Sequence, residues 1–202
     1  MCGRYFLDES PELRQYVEAM NRSPLMARSE GIAVDSGEVF PSNIVPAVAT
    51  NRAGERAVFP MKWGFSIPGG RPLINARAES AAEKPSFREA FAAHRCALPA
   101  SGYFEWERTL MPSGRKRAGQ KYRLKPAGEG VTWLAGLYRV ENGFPVFVVL
   151  TREASGDVRF IHDRMPVMLP TDKVSEWVHP ASCPEKVLAS ALIRVIFNRT
   201  ED

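Results

Sequence analysis

Val131-Thr132-Trp133-Leu134-Ala135-Gly136-Leu137-Tyr138-Arg139 and Phe144-Pro145-Val146-Phe147-Val148-Val149-Leu150-Thr151 flank Glu141-Asn142-Gly143. Two β-branched and aromatic runs on either side of Asn-Gly form the strongest short hairpin signal, because a two-residue hairpin turn needs positive φ and these residues adopt it at low cost. Working outward, residues 47–50 and 56–59 flank Asn51-Arg52-Ala53-Gly54, a second hairpin loop. Residues 95–98, 103–107, 121–125, 167–169 and 194–197 are further strands. Helices are few. Ser10-Pro11 opens one, with serine at the N-cap and proline at the first helical position, and Leu13, Tyr16, Val17 and Met20 share a face. Ser86 and Glu89 fit a capping box for a second, with Phe87, Ala90 and Phe91 as its apolar stripe. Residues 171–178 and 184–192 read as two more short helices. Many strands joined by hairpins rather than helical crossovers imply an antiparallel α+β fold.

At 202 residues, 45% hydrophobic and 25% charged, the chain fits one globular domain spanning residues 1–202. The net charge of +4, from 27 Lys+Arg against 23 Asp+Glu, permits nucleic-acid binding only if the cations gather on one face. Residues 111–120, containing Arg115-Lys116-Arg117, read as an exposed basic loop. Cys2, Cys96 and Cys183 are odd in number and widely spaced, so neither a disulfide framework nor a zinc pattern is expected. No metal and no cofactor are implied. Cys96 reads as core. With no signal segment and no stretch of membrane-spanning length, a cytoplasmic protein without membrane contact is expected, associated with the nucleoid if the source is bacterial.

Five features carry possible chemistry. Loss of Met1 would give Cys2 two nucleophiles, a thiol with a free pKa of about 8.5 and an α-amine of about 7.7–8.0. The alternative is an inert, buried thiol. Asn75, Arg77 and Glu79 alternate in Asn75-Ala76-Arg77-Ala78-Glu79, so an extended segment would project all three to one side, toward a phosphate or simply toward solvent. In Ser101-Gly102-Tyr103-Phe104-Glu105-Trp106-Glu107, Glu105 is either a carboxyl among aromatics with a raised pKa or part of an exposed strand face over a core of Phe104 and Trp106. His162, in Ile161-His162-Asp163-Arg164-Met165-Pro166, is a proton-transfer candidate with Arg164 as an anion holder; a structural histidine is the alternative. His94 and His179 sit at helix ends and read as surface or capping residues. In Lys62-Trp63-Gly64-Phe65 the aromatics either stack on single-stranded bases or cover a core.

Together these segments resemble the SRAP family of abasic-site-processing, SOS-response-associated peptidases. The match runs in order through Met1-Cys2-Gly3-Arg4-Tyr5, Asn43-Ile44-Val45-Pro46, Trp63-Gly64-Phe65, Asn75-Ala76-Arg77-Ala78-Glu79, Ser101-Gly102-Tyr103-Phe104-Glu105-Trp106 and His162-Asp163-Arg164-Met165-Pro166. The resemblance implies one mainly antiparallel, barrel-like curved sheet with a few peripheral short helices. It implies a monomer that meets abasic sites in single-stranded DNA during the damage response. There the Cys2 amine and thiol would close a thiazolidine on the sugar aldehyde. Asn75 would position Cys2, Glu105 would move protons, and His162 would be a second acid/base able to assist strand cleavage (lyase activity). The family name adds a peptidase (hydrolase) activity that would act on the chain's own Met1. Arg4, Arg77 and Arg164 would hold phosphates, and Asn43, Trp63 and Trp106 would complete the DNA-binding set. Two rivals remain at this level: a glutaminase-like N-terminal-cysteine amidohydrolase, and a non-catalytic single-strand-binding module.

Overall fold

The computed structural model describes residues 2–110, 116–128 and 130–200. In chain order its elements are β1 (Arg4–Leu7), α1 (Pro11–Asn21), β2 (Gly37–Val39), β3 (Ile44–Thr50), β4 (Arg56–Trp63) and β5 (Asn75–Arg77). There follow α2 (Arg88–Ala93), β6 (Arg95–Ala100), β7 (Gly102–Leu110), β8 (Lys116–Pro126), β9 (Thr132–Glu141) and β10 (Phe144–Glu153). The remainder is β11 (Arg164–Pro166), β12 (Met168–Leu169), α3 (Val174–Val178), α4 (Pro184–Ala189) and β13 (Val195–Arg199).

The Asn142-Gly143 turn has φ of 50° and 78°, and β9 and β10 pair antiparallel from Glu141↔Phe144 to Gly136↔Val149. From this hairpin the sheet grows into a ring. β9 pairs β6, β6 pairs β3 and β3 pairs β4, all antiparallel, and β4 then meets β10 in parallel at Lys62↔Val146 and Trp63↔Phe147. Closure leaves these five strands without a free edge. Strand alternation sends Val45, Ala47, Ala49, Met61, Trp63, Cys96, Leu98, Leu134, Phe147 and Val149 into one core cluster. The opposite faces carry Val48, Ala97, Ala135, Leu137, Val146 and Val148 against Phe91, Trp177 and Val187 of the three short helices.

A second sheet, in the order β13-β8-β7-β1-β2, is antiparallel throughout. Its inner face places Tyr5, Tyr103, Tyr122 and Leu124 in the same cluster as the barrel interior, so the two sheets share one core. Gly102 makes the close approach possible: a Cβ there would lie 2.4 Å from the Leu124 carbonyl oxygen, and its φ is 153°. Arg95 is a buried cation satisfied by carbonyls. It donates to Phe91 O (2.8 Å), Ala92 O, His179 O and Trp177 O (2.8 Å), which ties the C-terminal ends of α2 and α3 to the barrel.

Several local expectations are corrected. The second helix begins at Arg88, not Ser86, and has no side-chain cap. The N–H groups of Phe87 and Arg88 bond Lys84 O (2.9 and 2.8 Å), so the chain enters the helix from a preceding turn and Phe87, not Ser86, stands at the N-cap. Residues 116–120 are strand, not loop: they open β8 against β7, while residues 111–115 lie outside the described residues. Residues 171–173 form a 3-10 turn before α3, α4 stops at Ala189, and the 167–169 strand is β11 and β12 with Val167 between them. His94 and His179 stand at the C-caps of α2 and α3, and Cys96 is core, as expected.

Candidate active site

Cys2 precedes β1 and is fully buried. Its backbone carbonyl accepts a 2.9 Å hydrogen bond from Asn75 Nδ2 across 73 residues of sequence. Asn75 is placed by its neighbours on both sides. β5 pairs in parallel with β10 at Asn75↔Val149, and Ile74 O accepts from both Val149 N (3.1 Å) and Trp63 Nε1 (2.9 Å). Asn75 Oδ1 is buried and has no donor among the described residues. The strand ends at Arg77, so Glu79 sits in a 3-10 turn rather than on a shared face with Asn75 and Arg77.

Glu105 reaches the same place from β7, whose neighbours are β1 and β8. The expected alternation is present with its faces reversed from the exposed-strand reading. Tyr103 and Glu105 point into the shared core, and Phe104 and Trp106 face outward beneath cations. Lys121 Nζ lies 4.5 Å from the Phe104 ring centre, and Arg4 lies 5.0 Å from that of Trp106. Burial pushes the Glu105 carboxyl above its ordinary value of 4.5. Burial, and secondly the Glu105 charge, pushes the Cys2 thiol up to about 12. The hydroxyls of Tyr5 and Tyr103 are likewise raised, first by burial and then by Cys2. The thiol is therefore protonated at neutral pH, beside a carboxyl that readily takes up a proton.

His162 is buried in the segment between β10 and β11. Its Nδ1 accepts the Arg164 backbone N–H at 2.8 Å, which puts the proton of the neutral ring on Nε2. Asp163 Oδ1 also lies 2.7 Å from Nδ1. The two contacts compete: the carboxylate becomes the partner only when Nδ1 is itself protonated. Asp163's own pKa is lowered, slight burial being outweighed by His162 and Arg108.

The expected DNA-binding residues divide. Arg77 is exposed and makes no ion pair among the described residues. Trp106 is partly exposed on the outer face of the second sheet. Trp63 is corrected: it is buried, stacked on Phe147 (6.0 Å, 11° between planes), and its N–H is spent on Ile74 O, so no ring face is open to a base. Arg164 is corrected as well. Its two Nη atoms clasp Glu79 at 2.7 and 2.8 Å and Nη2 also bonds Thr151 O, leaving no outward donor pair for a phosphate. The Arg164 guanidinium holds the Glu79 carboxyl down at about 2. Arg4 is paired with Glu38 (2.9 Å) and covered by Phe40 and Trp106. Asn43 Oδ1 accepts from Phe40 N (2.8 Å) and so holds a turn. Sequence reasoning missed Tyr5 and Tyr103 as walls of the site, although Tyr103 stands two residues from Glu105 and shares its face.

Among the described residues no three His, Cys, Asp or Glu side chains group to hold a metal ion, and no helix is long and apolar enough to cross a membrane.

Known proteins are similar to this chain in sequence and in fold. The family model described as SOS response associated peptidase (SRAP) matches residues 1–199. The abasic site processing protein YoqW of Bacillus subtilis is 33% identical over 207 residues, covering 95% of this chain and 86% of that protein. YedK of Escherichia coli, also named an abasic site processing protein, is 28% identical over 190 residues, covering 88% and 79%. The crystal structure of a phage-related protein from Bordetella bronchiseptica superposes with a TM-score of 0.75 at 24% identity, covering 100% of this chain and 95% of that one. A protein of Bacteroides thetaiotaomicron gives 0.73 at 20% identity, covering 100% and 93%. These structural likenesses establish the closed barrel with its companion sheet as a shared fold. With the family model spanning nearly every residue and a relative 33% identical over 95% of the chain, the chain belongs to the SRAP family.

Proposed function

We propose that this chain processes abasic sites in single-stranded DNA by forming a covalent crosslink through Cys2 after Met1 is removed. The observation that carries the reading is the Asn75–Cys2 hydrogen bond, which holds the backbone of a buried cysteine beside a carboxyl of raised pKa. Names of relatives support it, since YoqW and YedK are both called abasic site processing proteins.

The chemistry takes two steps. The Cys2 α-amine attacks the aldehyde carbon of the ring-opened sugar; a C–N bond forms, the oxygen leaves as water, and an imine results. The thiol then adds to the imine carbon. A C–S bond forms, the thiol proton goes to nitrogen, and a five-membered thiazolidine closes. A thiol kept protonated until this point does not compete with the amine for the aldehyde, and it arrives with the proton that the nitrogen needs. Glu105 in its protonated form donates to the departing oxygen, and as carboxylate it receives the proton shed by the amine. Asn75 Oδ1, a buried acceptor, can take an N–H of that amine. His162 supplies a second acid/base for opening the sugar or cleaving the strand, and Arg77 meets a phosphate. The covalent bond provides retention, so a net charge of only +4 suffices.

The test mixes the processed protein with an oligonucleotide carrying one abasic site and resolves it on a denaturing gel. A shifted band is expected, absent with aldehyde-free DNA and absent for Cys2→Ala. No band from protein whose Met1 is gone by mass spectrometry overturns the reading. Ammonia release from glutamine would transfer the site to the amidohydrolase class, and reversible binding without an aldehyde requirement to a simple binding module.

A further inference from the structure

With Trp63 buried, any base-stacking surface lies elsewhere, and a partly exposed aromatic cluster lies on the second sheet. Its register sets Glu105 on β7, Tyr122 on β8 and Arg199 on β13 in one cross-strand row, with Tyr103, Leu124 and Phe197 in the next. Directly opposed residues project to the same face, so Phe197 and Arg199 share the face that holds Glu105. Phe160, two residues before His162, completes a cluster. The ring centres of Tyr122, Phe160 and Phe197 are 5.8, 5.7 and 5.3 Å apart, and all three contacts are edge-to-face. Tyr122 is its buried floor, whereas Phe160 is 53% and Phe197 38% exposed.

We infer that Phe160 and Phe197 form a stacking site for the nucleobase next to the abasic sugar, with Arg199 holding the phosphate that joins them. This rests on the abasic-site reading and deepens it. Three observations select a nucleobase. The cluster is continuous with the candidate site, since Glu105 and Arg199 are two strand spacings apart, roughly 10 Å. Arg199 is exposed and makes no ion pair among the described residues, which complements a phosphate. The patch is also small. Two partly exposed phenyl rings offer on the order of 200 Å², against about 800 Å² per partner in a standard protein interface. Aromatic faces accept any base, so the site would add affinity without sequence preference.

The probes are two single-stranded oligonucleotides with a tetrahydrofuran abasic analogue, which has no aldehyde, and 2-aminopurine on its 5′ or its 3′ side. Wild type is compared with Phe160→Leu and with Phe160→Leu/Phe197→Leu; leucine still covers Tyr122 but offers no ring face. Wild type is expected to change the fluorescence of one oligonucleotide by stacking. The double variant should lose that change and bind the analogue about 10-fold more weakly, with the single variant between. Urea unfolding confirms that each variant is folded, and Phe160→Leu, in a turn, carries the test if the double variant is not. Unchanged affinity, or no fluorescence response from either oligonucleotide, overturns the inference. So does a concentration-dependent dimer that the variants abolish, which would assign the patch to a second copy of the chain. Crosslinking of wild type to an authentic abasic site is scored separately: a crosslink without the stacking signal sinks this inference alone, and no crosslink sinks the reading beneath it.

Discussion

Asn75→Ala separates holding Cys2 from doing chemistry on it. The substitution removes the 2.9 Å Nδ2 donor and leaves the Cys2 carbonyl of a fully buried residue without it. An orphaned buried acceptor costs about 1–3 kcal/mol. If that bond fixes the amine and thiol for attack, the loss falls on the reaction barrier. At 1.36 kcal/mol per tenfold in rate, crosslinking then slows roughly 5- to 150-fold. The assay is single-turnover crosslinking to an oligonucleotide with one abasic site, protein in excess, quenched and resolved on a denaturing gel. Asn75→Asp is the companion variant: it preserves shape but sets an acceptor against an acceptor, so it should be at least as slow as alanine. Urea midpoints separate a local loss from unfolding, since the fold retains its other β5–β10 contacts through Ile74, Ala76 and Arg77. An alanine variant within twofold of wild type, or an aspartate variant at the wild-type rate, refutes positioning by this bond.

Glu105→Gln should slow crosslinking yet stabilise the fold at pH 7. Burial raises the Glu105 carboxyl above 4.5, so the folded chain holds the proton more tightly than the unfolded one. Its favourable contribution is full below 4.5 and is lost as pH rises through the raised folded value; thermal melts should therefore show the variant's Tm above wild type at pH 7 and the two converging near pH 4, and the opposite order at pH 7 defeats the argument. In native protein at pH 8, a colorimetric disulfide reagent should find one fast thiol, the exposed Cys183. Cys2, pushed up to about 12, should react at least about 1000-fold more slowly until the chain is unfolded, and two fast native thiols would contradict its burial. Arg95→Met should lower stability by about 4 kcal/mol or more, because several buried carbonyls lose their donor. For a domain of this size that is about 8–16 °C in Tm; a loss below about 1 kcal/mol would show that other donors replace the guanidinium.

Local pattern revealed what is local. The Asn142-Gly143 turn, the two principal hairpins and the proline-started α1 are each specified by neighbouring residues, and each forms. Closure of the ring is not local: the parallel β4–β10 contact joins Trp63 to Phe147 through residues that also read as ordinary core. The motif residues behaved similarly. Cys2, Asn75 and Glu105 come together, but Asn75 does so because Trp63 and Val149 fix Ile74, a relation among three distant segments. Charged residues were least legible. Arg4, Arg77 and Arg164 look alike in a motif, and only the fold shows that Glu38 and Glu79 neutralise the first and last. Its position two residues from His162 gave no hint that Arg164 would have a carboxylate partner 85 residues away.

The second sheet holds β1 and β13, so the first and last strands of the chain lie on the same side of the molecule as Glu105. That topology has a practical consequence for anyone wishing to label or immobilise the protein. An affinity tag or fluorophore fused at the front blocks the Cys2 amine, and one fused behind β13 hangs beside Phe197 and Arg199. The exposed Asn142-Gly143 turn is the better attachment point. It lies six residues along β10 from the Val149 that faces Asn75, about 20 Å of extended chain. A short peptide inserted there would anchor the molecule away from Cys2 and Glu105 and leave their side clear for single-molecule observation.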